Sequence, residues 1–376
     1  MKHFTGWVMA LACAIGMFSS NAFAQRPPEV HPASERRDIV MSWDRSAMPG
    51  DIELWAPRTM LAYDHTDLSL QFGALHLVCN PGNGDTGRCP AGGQADSTAG
   101  LRSIPLSFVE ERSQMRAELN VRAGLERALS GRSCLGNYWQ NLILAPWSTH
   151  AVGCALDEPA GTGAQLSIAS SELRKLVAGI WTAKLELHAN VPNGSRLATY
   201  SFDFSLTVTD RNAVAVYLPE FDNATPSVGL DLRYNPFAQT IEGRKVVDMC
   251  LYDGLGSQSL YLGVTARDVG ARAPGATGFS VWHRDGGRDE RQRVDYTVAL
   301  DHNGAAVPMS NGVEQQLQGI DSARLRLVIL PGMNQPVFCV PTPMTLVTPR
   351  FPSTSKDAGY YEGQLQVELR VPTATP

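Results

Sequence analysis

The sequence predicts an all-β protein with two immunoglobulin-like β-sandwich domains in tandem. Apolar and polar residues alternate with a period of two over residues 200–208, 228–234 and 365–371, as expected for strands that bury one face. Turn motifs separate such segments, for example PNG at 192–194 and HNG at 302–304. Short alternating strands with frequent turns favour sandwiches over a parallel α/β sheet. The length of 376 residues suits two domains of roughly 150 residues each, each burying its own core.

Two segments have a helical composition. Residues 113–129 are rich in Arg, Glu, Ala and Leu, although Gly124 interrupts them. Residues 170–176, SSELRKL, resemble a single capped helical turn. The sequence therefore predicts at most two helical segments in a chain of strands.

Composition and charge exclude several classes of protein. Hydrophobic residues make up 43% of the chain and the formal net charge is -5, which is inconsistent with intrinsic disorder. The mild negative balance argues against a nucleic-acid partner, since such proteins carry a basic field that neutralises phosphates.

The first 24 residues have the pattern of a secretory signal peptide. Lys2 and His3 precede an apolar run over residues 7–18, and the sequence AFA follows at 22–24. The run is too short to span the ~30 Å hydrocarbon core of a membrane. The mature chain is expected to begin at Gln25 and to be exported.

The cysteines of the mature chain are even in number, which in an exported protein predicts disulfides. They are Cys79, Cys89, Cys134, Cys154, Cys250 and Cys339. Four lie in the first half and two in the second, so we expect the halves to cross-link separately. Pairing of sequence neighbours is the simplest of three connectivities in the first half. No C-x2-C or H-x3-H spacing occurs, and we predict no metal site and no cofactor.

A polar stretch bounded by Pro219 and Pro226 marks a domain boundary. We assign residues 25–218 to a first domain, 219–226 to a linker and 227–376 to a second domain. With about 150 residues and one cysteine pair, the second domain has the size of an elaborated immunoglobulin-like sandwich.

The second half resembles the pilin domain of class 5 (alternate chaperone/usher) fimbrial tip proteins, the colonization factor antigen I minor-subunit family of pilus biogenesis initiators. The first half is similar, more loosely, to the adhesin domain of that family. The matching segments are VDMCLYDG at 247–254, GFSVWHRD at 278–285, VFCVP at 337–341 and AGYYEGQLQV at 358–367, and, in the first half, SELRKL at 171–176 and GIWTAKL at 179–185.

The resemblance implies a protein at the fimbrial tip on the bacterial surface. In such pilins the immunoglobulin-like fold lacks its last strand, which exposes backbone groups along an edge and uncovers apolar side chains. A periplasmic chaperone supplies the strand first, and the N-terminal strand of the major pilin replaces it during assembly at the outer-membrane usher.

The donor-strand groove is expected beside the last alternating segment, which ends five residues before the end of the sequence. The alternative is an ordinary complete sandwich in which this segment is the last strand. The residues expected to line the groove are Leu365, Val367, Leu369, Val371, Val228, Leu230 and Leu232.

The mature N-terminus is a poor donor strand. Residues 25–32 contain three prolines, which remove the N–H groups that a ladder needs. A strand such as 38–43 could still follow them. A pilin that accepts a strand without donating one is confined to the tip.

The resemblance also implies that the first domain binds a host receptor, a glycoconjugate or a protein. Arg196 is the first candidate for an acidic glycan, because it follows the turn at 192–195 and arginine offers a bidentate fork. Arg58 is the second candidate. Tyr138 and Trp139 are more typical of core residues than of sugar platforms.

Two other functions compete with a tip adhesin. One is a non-adhesive structural pilin or assembly initiator, and the other is an exported β-sandwich hydrolase. GRSCLG at 131–136 is close to a nucleophile elbow, but its second glycine is one place too far. No phosphate-binding or dinucleotide motif occurs either, so the sequence predicts no enzymatic activity.

Overall fold

The computed structural model describes residues 25–372, and the predicted signal peptide, 1–24, lies outside this range. The described chain is all-β with two tandem domains, which confirms the predicted fold class. No helix within residues 25–372 is long and apolar enough to cross a membrane.

The first domain is built on one eight-stranded sheet with the order β1-β8-β7-β4-β5-β6-β2, in which β3 pairs with β7. β1, which contains the strand expected at 38–43, runs parallel to β8, and the other pairs are antiparallel. Its strands are β1 (Glu35–Asp44), β2 (Ile52–Tyr63), β3 (His76–Cys79), β4 (Arg102–Glu110), β5 (Arg116–Leu129), β6 (Pro159–Ile168), β7 (Gly179–Asn190) and β8 (Arg196–Thr209).

This sheet curls so that its two ends pack against each other. Trp55 of β2 meets Tyr200 and Phe202 of β8 edge to face, with ring centroids 5.0 and 5.3 Å apart. All three side chains are buried. The alternation in β8 thus places its aromatic face inside the curled sheet, where it forms the core.

The segment predicted to be helical at 113–129 is a strand, so that prediction is wrong. β5 pairs with β4 on one side and β6 on the other, and Leu119, Val121 and Ala123 are buried in the core. Burial between two strands outweighs the weak helix preference of the composition. The expected helical turn is present as α1 (Ser170–Leu173).

The second domain contains three sheets. The seven-stranded sheet has the order β10-β11-β20-β15-β14-β21 with β16 on β15, and the smaller sheets have the orders β18-β19-β12-β9 and β17-β13-β22. The strands are β9 (Ala215–Tyr217), β10 (Leu232–Asn235), β11 (Thr240–Val247), β12 (Cys250–Tyr252), β13 (Tyr261–Asp268), β14 (Phe279–His283), β15 (Arg293–His302), β16 (Ala305–Met309), β17 (Glu314–Gln318), β18 (Arg326–Val328), β19 (Val337–Pro341), β20 (Met344–Pro352), β21 (Tyr361–Glu362) and β22 (Leu365–Arg370).

Short 3-10 turns lie between strands in both domains. Those in residues 25–372 are Leu68–Leu70, Phe72–Ala74, Gly84–Thr86, Arg211–Ala213, Glu290–Gln292 and Ser353–Ser355.

β9 connects the two domains. It precedes the expected linker at 219–226, yet it pairs with β12 of the second domain. A segment that was assigned from the sequence to the first domain therefore supplies an edge strand to the second.

All three disulfides join sequence neighbours, as the simplest connectivity predicted. The pairs are Cys79–Cys89, Cys134–Cys154 and Cys250–Cys339.

The second domain has a core of its own, but the two domains are not buried independently of each other. The core of the first domain continues into the second. The residues that the second domain contributes to it are Cys250, Tyr252, Val328, Leu330, Val337 and Cys339.

The interface also places the glycine-containing loop after β12 against the first domain. Gly256 has a φ of +70°, and a Cβ there would lie 2.8 Å from the carbonyl oxygen of Ala178 and from Cα of Gly179. β7 runs from Gly179 at this interface to Asn190, so Asn190 marks the end of the first domain that faces away from the second. We call it the distal end.

A buried arginine organises the loops beside β5. Arg127 is fully buried, and its guanidinium donates hydrogen bonds to the carbonyl oxygens of Leu75, Ser148 and His150 and to Thr162 Oγ1. Burial lowers the pKa of Arg127 to about 9. Its donors therefore stabilise loop carbonyls in place of a counter-ion.

Candidate functional site

Two unpaired strand edges face each other in the second domain. β22 pairs only with β13, and β9 pairs only with β12, among residues 25–372. Some Cα atoms of β9 and β22 lie within 8 Å of each other, but no backbone hydrogen bond joins the two strands in this part of the chain. Neighbouring strands are about 4.8 Å apart, so the two edges must move to about 9.6 Å from each other before an extended polypeptide can use the free ladder groups on both sides.

The β22 side of this groove is amphipathic. Leu365, Val367, Leu369 and Val371 are partly buried and pack against the core of the second domain. The intervening residues, Gln366, Glu368 and Arg370, are exposed. One face of β22 is therefore apolar and incompletely covered.

The opposite side consists of residues that were not among the predicted groove residues. Val216, Leu218 and Phe221 are partly buried and pack against the same core. The signal was present in the sequence, since 213–218 is an apolar run in which alternate positions carry large side chains. The run was assigned to the end of the first domain because β9 is adjacent to that domain in sequence.

The remaining groove candidates divide into two groups. Val228 and Leu230 pack, partly buried, against the core of the second domain. Leu232 is 44% exposed and begins β10, in a different sheet from β22. Asp231 interrupts the predicted strand with a φ of +49°, so the alternation at 228–234 does not correspond to one continuous strand.

Arg58, the second receptor candidate, has an internal partner. Its Nε and Nη2 donate to the two carboxylate oxygens of Glu126 at 2.9 and 2.8 Å, and Nη2 also donates to Asn141 Oδ1 at 2.7 Å. The Glu126 carboxylate raises the pKa of Arg58. This bidentate pair already occupies the fork that an acidic ligand would need.

The aromatic ring beside Arg58 has a structural role as well. Trp139 lies under the Arg58 guanidinium, with 5.1 Å between the guanidinium carbon and the ring centroid. The Cη2 atom of Trp139 is 2.6 Å from the position that a Cβ on Gly163 would take. The ring therefore packs on the glycine surface of β6. Tyr138 is half-buried and has Arg26 over its ring at 5.6 Å.

Arg196, the first receptor candidate, lies at the distal end. The preceding turn is closed by hydrogen bonds from Val191 N to Ser195 O and from Gly194 N to Val191 O. Arg196 is exposed, and within residues 25–372 no carboxylate or hydrogen-bond acceptor contacts its guanidinium. Across the ladder, Asn190 has a buried Oδ1 with no hydrogen-bond partner in the same range. Arg196 and Arg58 do not contact each other.

The serine of the elbow-like motif is part of a structural turn. Ser133 N donates to Asp157 Oδ2 at 2.6 Å, and Ser133 Oγ donates to the same oxygen. The hydrogen bond from the Ser133 side chain lowers the pKa of Asp157. This pair closes the loop held by the Cys134–Cys154 disulfide.

Known proteins match both domains. A family model for the first domain of CfaE, a protein of CFA/I fimbriae, matches residues 20–211, and the model for the second CfaE domain matches residues 214–373. The CfaE fimbrial protein of Escherichia coli is 27% identical over 293 residues, which are 75% of this chain and 75% of that protein.

Solved structures have the same fold. The crystal structure of CfaE, described as the adhesive subunit of the CFA/I fimbria of enterotoxigenic Escherichia coli, superposes with a TM-score of 0.70 at 23% identity, covering 93% of this chain and 95% of that one. A chaperone–tip adhesin complex of CFA/I fimbriae biogenesis superposes with a TM-score of 0.67 at 22% identity, over 93% and 99% of the two chains. Because the two family models together cover nearly all of the described residues, the chain belongs to the CfaE family of CFA/I fimbrial proteins.

Proposed function

We propose that this protein is the adhesive tip component of a fimbria and that its second domain accepts a donor strand in the groove between β9 and β22. The observation that carries the proposal is the pair of facing, unpaired edges above an incompletely covered apolar surface. A strand inserted there would hydrogen-bond to both edges and place alternate side chains on the core. We propose no catalytic role.

The partners follow from this function. The related structure is described as a chaperone–tip adhesin complex, which supports a periplasmic chaperone as the first occupant of the groove. The N-terminal strand of the major pilin is the second occupant, and the outer-membrane usher is the site of exchange. The prolines before β1, together with the pairing of β1 to β8, support a pilin that accepts a strand without donating one.

The groove is tested with two substitutions on β22 that introduce the same charge. Val367→Asp places a carboxylate on the apolar face, where burial of an unpaired charge costs several kcal/mol. We expect at least about a ten-fold loss of full-length protein recovered with its co-expressed chaperone. Gln366→Asp on the exposed face is the matched control, and recovery of its complex should equal that of the wild type.

A second measurement separates a missing strand from simple misfolding. The N-terminal strand of the major pilin is fused to the end of the full chain through a flexible linker. The fusion should raise the melting temperature and the resistance to proteolysis, because the strand covers apolar surface and satisfies edge groups. A wild-type chain that is equally stable with and without the fused strand would contradict the groove.

We further propose that the first domain binds a host glycan or protein at its distal end, with Arg196 as a contact. The support is the exposed Arg196 guanidinium, which has no internal partner among residues 25–372 and therefore offers free donors to an acidic ligand. Arg58 is the weaker candidate, because Glu126 occupies its fork.

Binding to host cells and glycan arrays tests this contact in the full chain with its donor strand. Arg196→Ala should reduce binding about ten-fold or more, as expected for loss of a charged hydrogen-bonding residue, while the melting temperature stays unchanged. Arg122→Ala, at another exposed arginine of the same domain, is the control. Full binding by Arg196→Ala would remove the residue from the receptor site. Absence of binding by the wild type would favour a non-adhesive assembly initiator.

A further inference from the structure

Four side chains that commonly bind metals converge where the N-terminal segment meets the end of β2. Val30 and Tyr63 form an antiparallel bridge with two backbone hydrogen bonds of 2.8 and 2.9 Å. Side chains alternate along extended backbone, so this register places Glu29 and His31 on the same side as Asp64. His65 follows directly and completes the group.

The distances between potential ligand atoms fit a single small cation. Ligand atoms of Glu29, Asp64 and His65 all lie within 4.8 Å of one another. Glu29 Oε1 is 3.6 Å from His65 Nδ1, and His31 Nε2 is 3.7 Å from Asp64 Oδ2. Neighbouring ligands of tetrahedral zinc with bonds of about 2.0–2.1 Å are about 3.4 Å apart, so Glu29, Asp64 and His65 need only small movements to share one ion. His31 lies outside this group of three, and its exposed side chain must rotate towards it to become the fourth ligand.

Asp64 is oriented by its own turn. Its Oδ1 accepts hydrogen bonds from Thr66 N, Thr66 Oγ1 and Asp67 N, and Oδ2 is left to face His31. The orientation of the carboxylate is therefore set within its own turn before any ion binds. Hydrogen bonds of this kind, which fix one oxygen and present the other, are typical of metal-binding carboxylates.

His65 presents a ring nitrogen without a partner. Nδ1 is buried and has no hydrogen-bond partner among residues 25–372, and the 3.6 Å to Glu29 Oε1 exceeds a hydrogen bond. The opposite nitrogen, Nε2, lies 2.6 Å from Arg26 Nη1. Metal binding at Nδ1 requires the proton on Nε2, so the exposed Arg26 side chain must turn away when the ion enters.

Contrary to the sequence-based prediction of no metal site, which considered only regular cysteine and histidine spacings, we propose that Glu29, His31, Asp64 and His65 form a binding site for a zinc ion. Two imidazoles and two carboxylates are a ligand set that suits Zn²⁺. All four ligands come from two short segments, so the ion connects residues 29–31 directly to the end of β2. Binding stabilises the folded chain by mass action and holds the N-terminal segment on the first domain.

Calorimetric titration with ZnCl2 tests the site in the full mature chain, residues 25–376, carrying the fused donor strand and produced without a polyhistidine tag. We expect saturable binding of a single ion per chain at neutral pH, and a melting temperature that rises with Zn²⁺ and falls with EDTA. Loss of an outer-shell partner alone costs a site about 10–100-fold in affinity. His31→Gln, His65→Gln and Glu29→Gln should therefore each weaken binding at least about ten-fold.

Two further variants make the test specific. His150→Gln removes an imidazole from another part of the first domain and should leave binding unchanged, whereas Arg26→Ala removes the competing donor and should strengthen it. Glu29 is exposed, so Glu29→Gln is expected to fold even if a histidine variant does not. The proposal is overturned if the wild type binds no Zn²⁺ or if all three ligand variants bind it as tightly as the wild type.

Discussion

At the scale of single residues, Asp44 connects the end of β1 to the chain that leaves β8. Its Oδ1 accepts hydrogen bonds from Ser46 N and Oγ, and its Oδ2 accepts from Thr209 Oγ1 at 2.7 Å and Arg211 N at 3.1 Å. Burial by itself would raise the pKa of Asp44, but these hydrogen bonds lower it well below the ordinary 3.8. The carboxylate therefore stabilises the parallel β1–β8 pair only while it is ionised.

Asp44→Asn should reduce the free energy of unfolding by about 1–3 kcal/mol at neutral pH, because hydrogen bonds to a charged group are lost. A lowered pKa in the folded state provides stability above the unfolded value, and this stability is lost as the pH falls towards the folded value. The difference between variant and wild type should therefore shrink below about pH 4. Urea unfolding across this range measures it, and a difference independent of pH would contradict the assignment.

At the scale of elements, two glycines in β6 allow neighbouring groups to pack directly against the backbone of the strand. Gly161 packs against β2, since a Cβ there would lie 2.5 Å from the carbonyl oxygen of Ala62, and Gly163 accommodates Trp139. The ring of Trp139 in turn supports the Arg58–Glu126 pair. The absence of side chains on one strand thus determines where an aromatic ring and an ion pair lie.

Gly163→Ala should displace the Trp139 ring and destabilise the protein by about 1–3 kcal/mol, the usual cost of overpacking. Tryptophan fluorescence and chemical unfolding would report the change. Gly50→Ala is the control, because a Cβ at Gly50 has no atom within 4 Å. Equal stability of the two variants would show that the ring does not pack as described.

At the scale of the whole molecule, the continuous core couples the two domains. Cys250 and Cys339 of the second domain are fully buried and belong to the same core as the first-domain strands. Polar contacts reinforce this coupling, since Arg112 Nη2 donates to Ala323 O at 2.9 Å and Arg45 Nη2 donates to Gln335 Oε1 at 3.2 Å. A domain that loses its partner would expose apolar surface, so the domains should not unfold independently.

Calorimetry of the full chain with its donor strand should show one unfolding transition. The double variant Cys250→Ala/Cys339→Ala opens a disulfide that spans 89 residues, and loss of such a closure costs about 4 kcal/mol in the chain-entropy model. The whole transition should move to lower temperature. Two transitions, of which only the second-domain one moves, would contradict a shared core.

Much of the strand framework could be predicted because its signal is local. Residues 200–208 lie within β8, and 365–371 contain β22, since alternation reports directly which side chains face the core. The disulfides join sequence neighbours, which is the simplest of the connectivities that the sequence left open in the first half. The prediction of a helix at 113–129 was wrong. The local composition favours a helix, but the segment pairs with β4 and β6, and that pairing depends on residues far away in the sequence.

The sequence by itself determined the all-β class, the tandem domains and the apolar face of β22, because period and spacing encode them within short segments. Only the tertiary structure decided that β9 faces β22, that the Glu126 carboxylate pairs with the Arg58 guanidinium and that residues 29–31 lie beside Asp64 and His65. Each of these contacts joins segments far apart in the chain. Their proximity depends on how the strands pair and how the sheets curl, which no local pattern specifies.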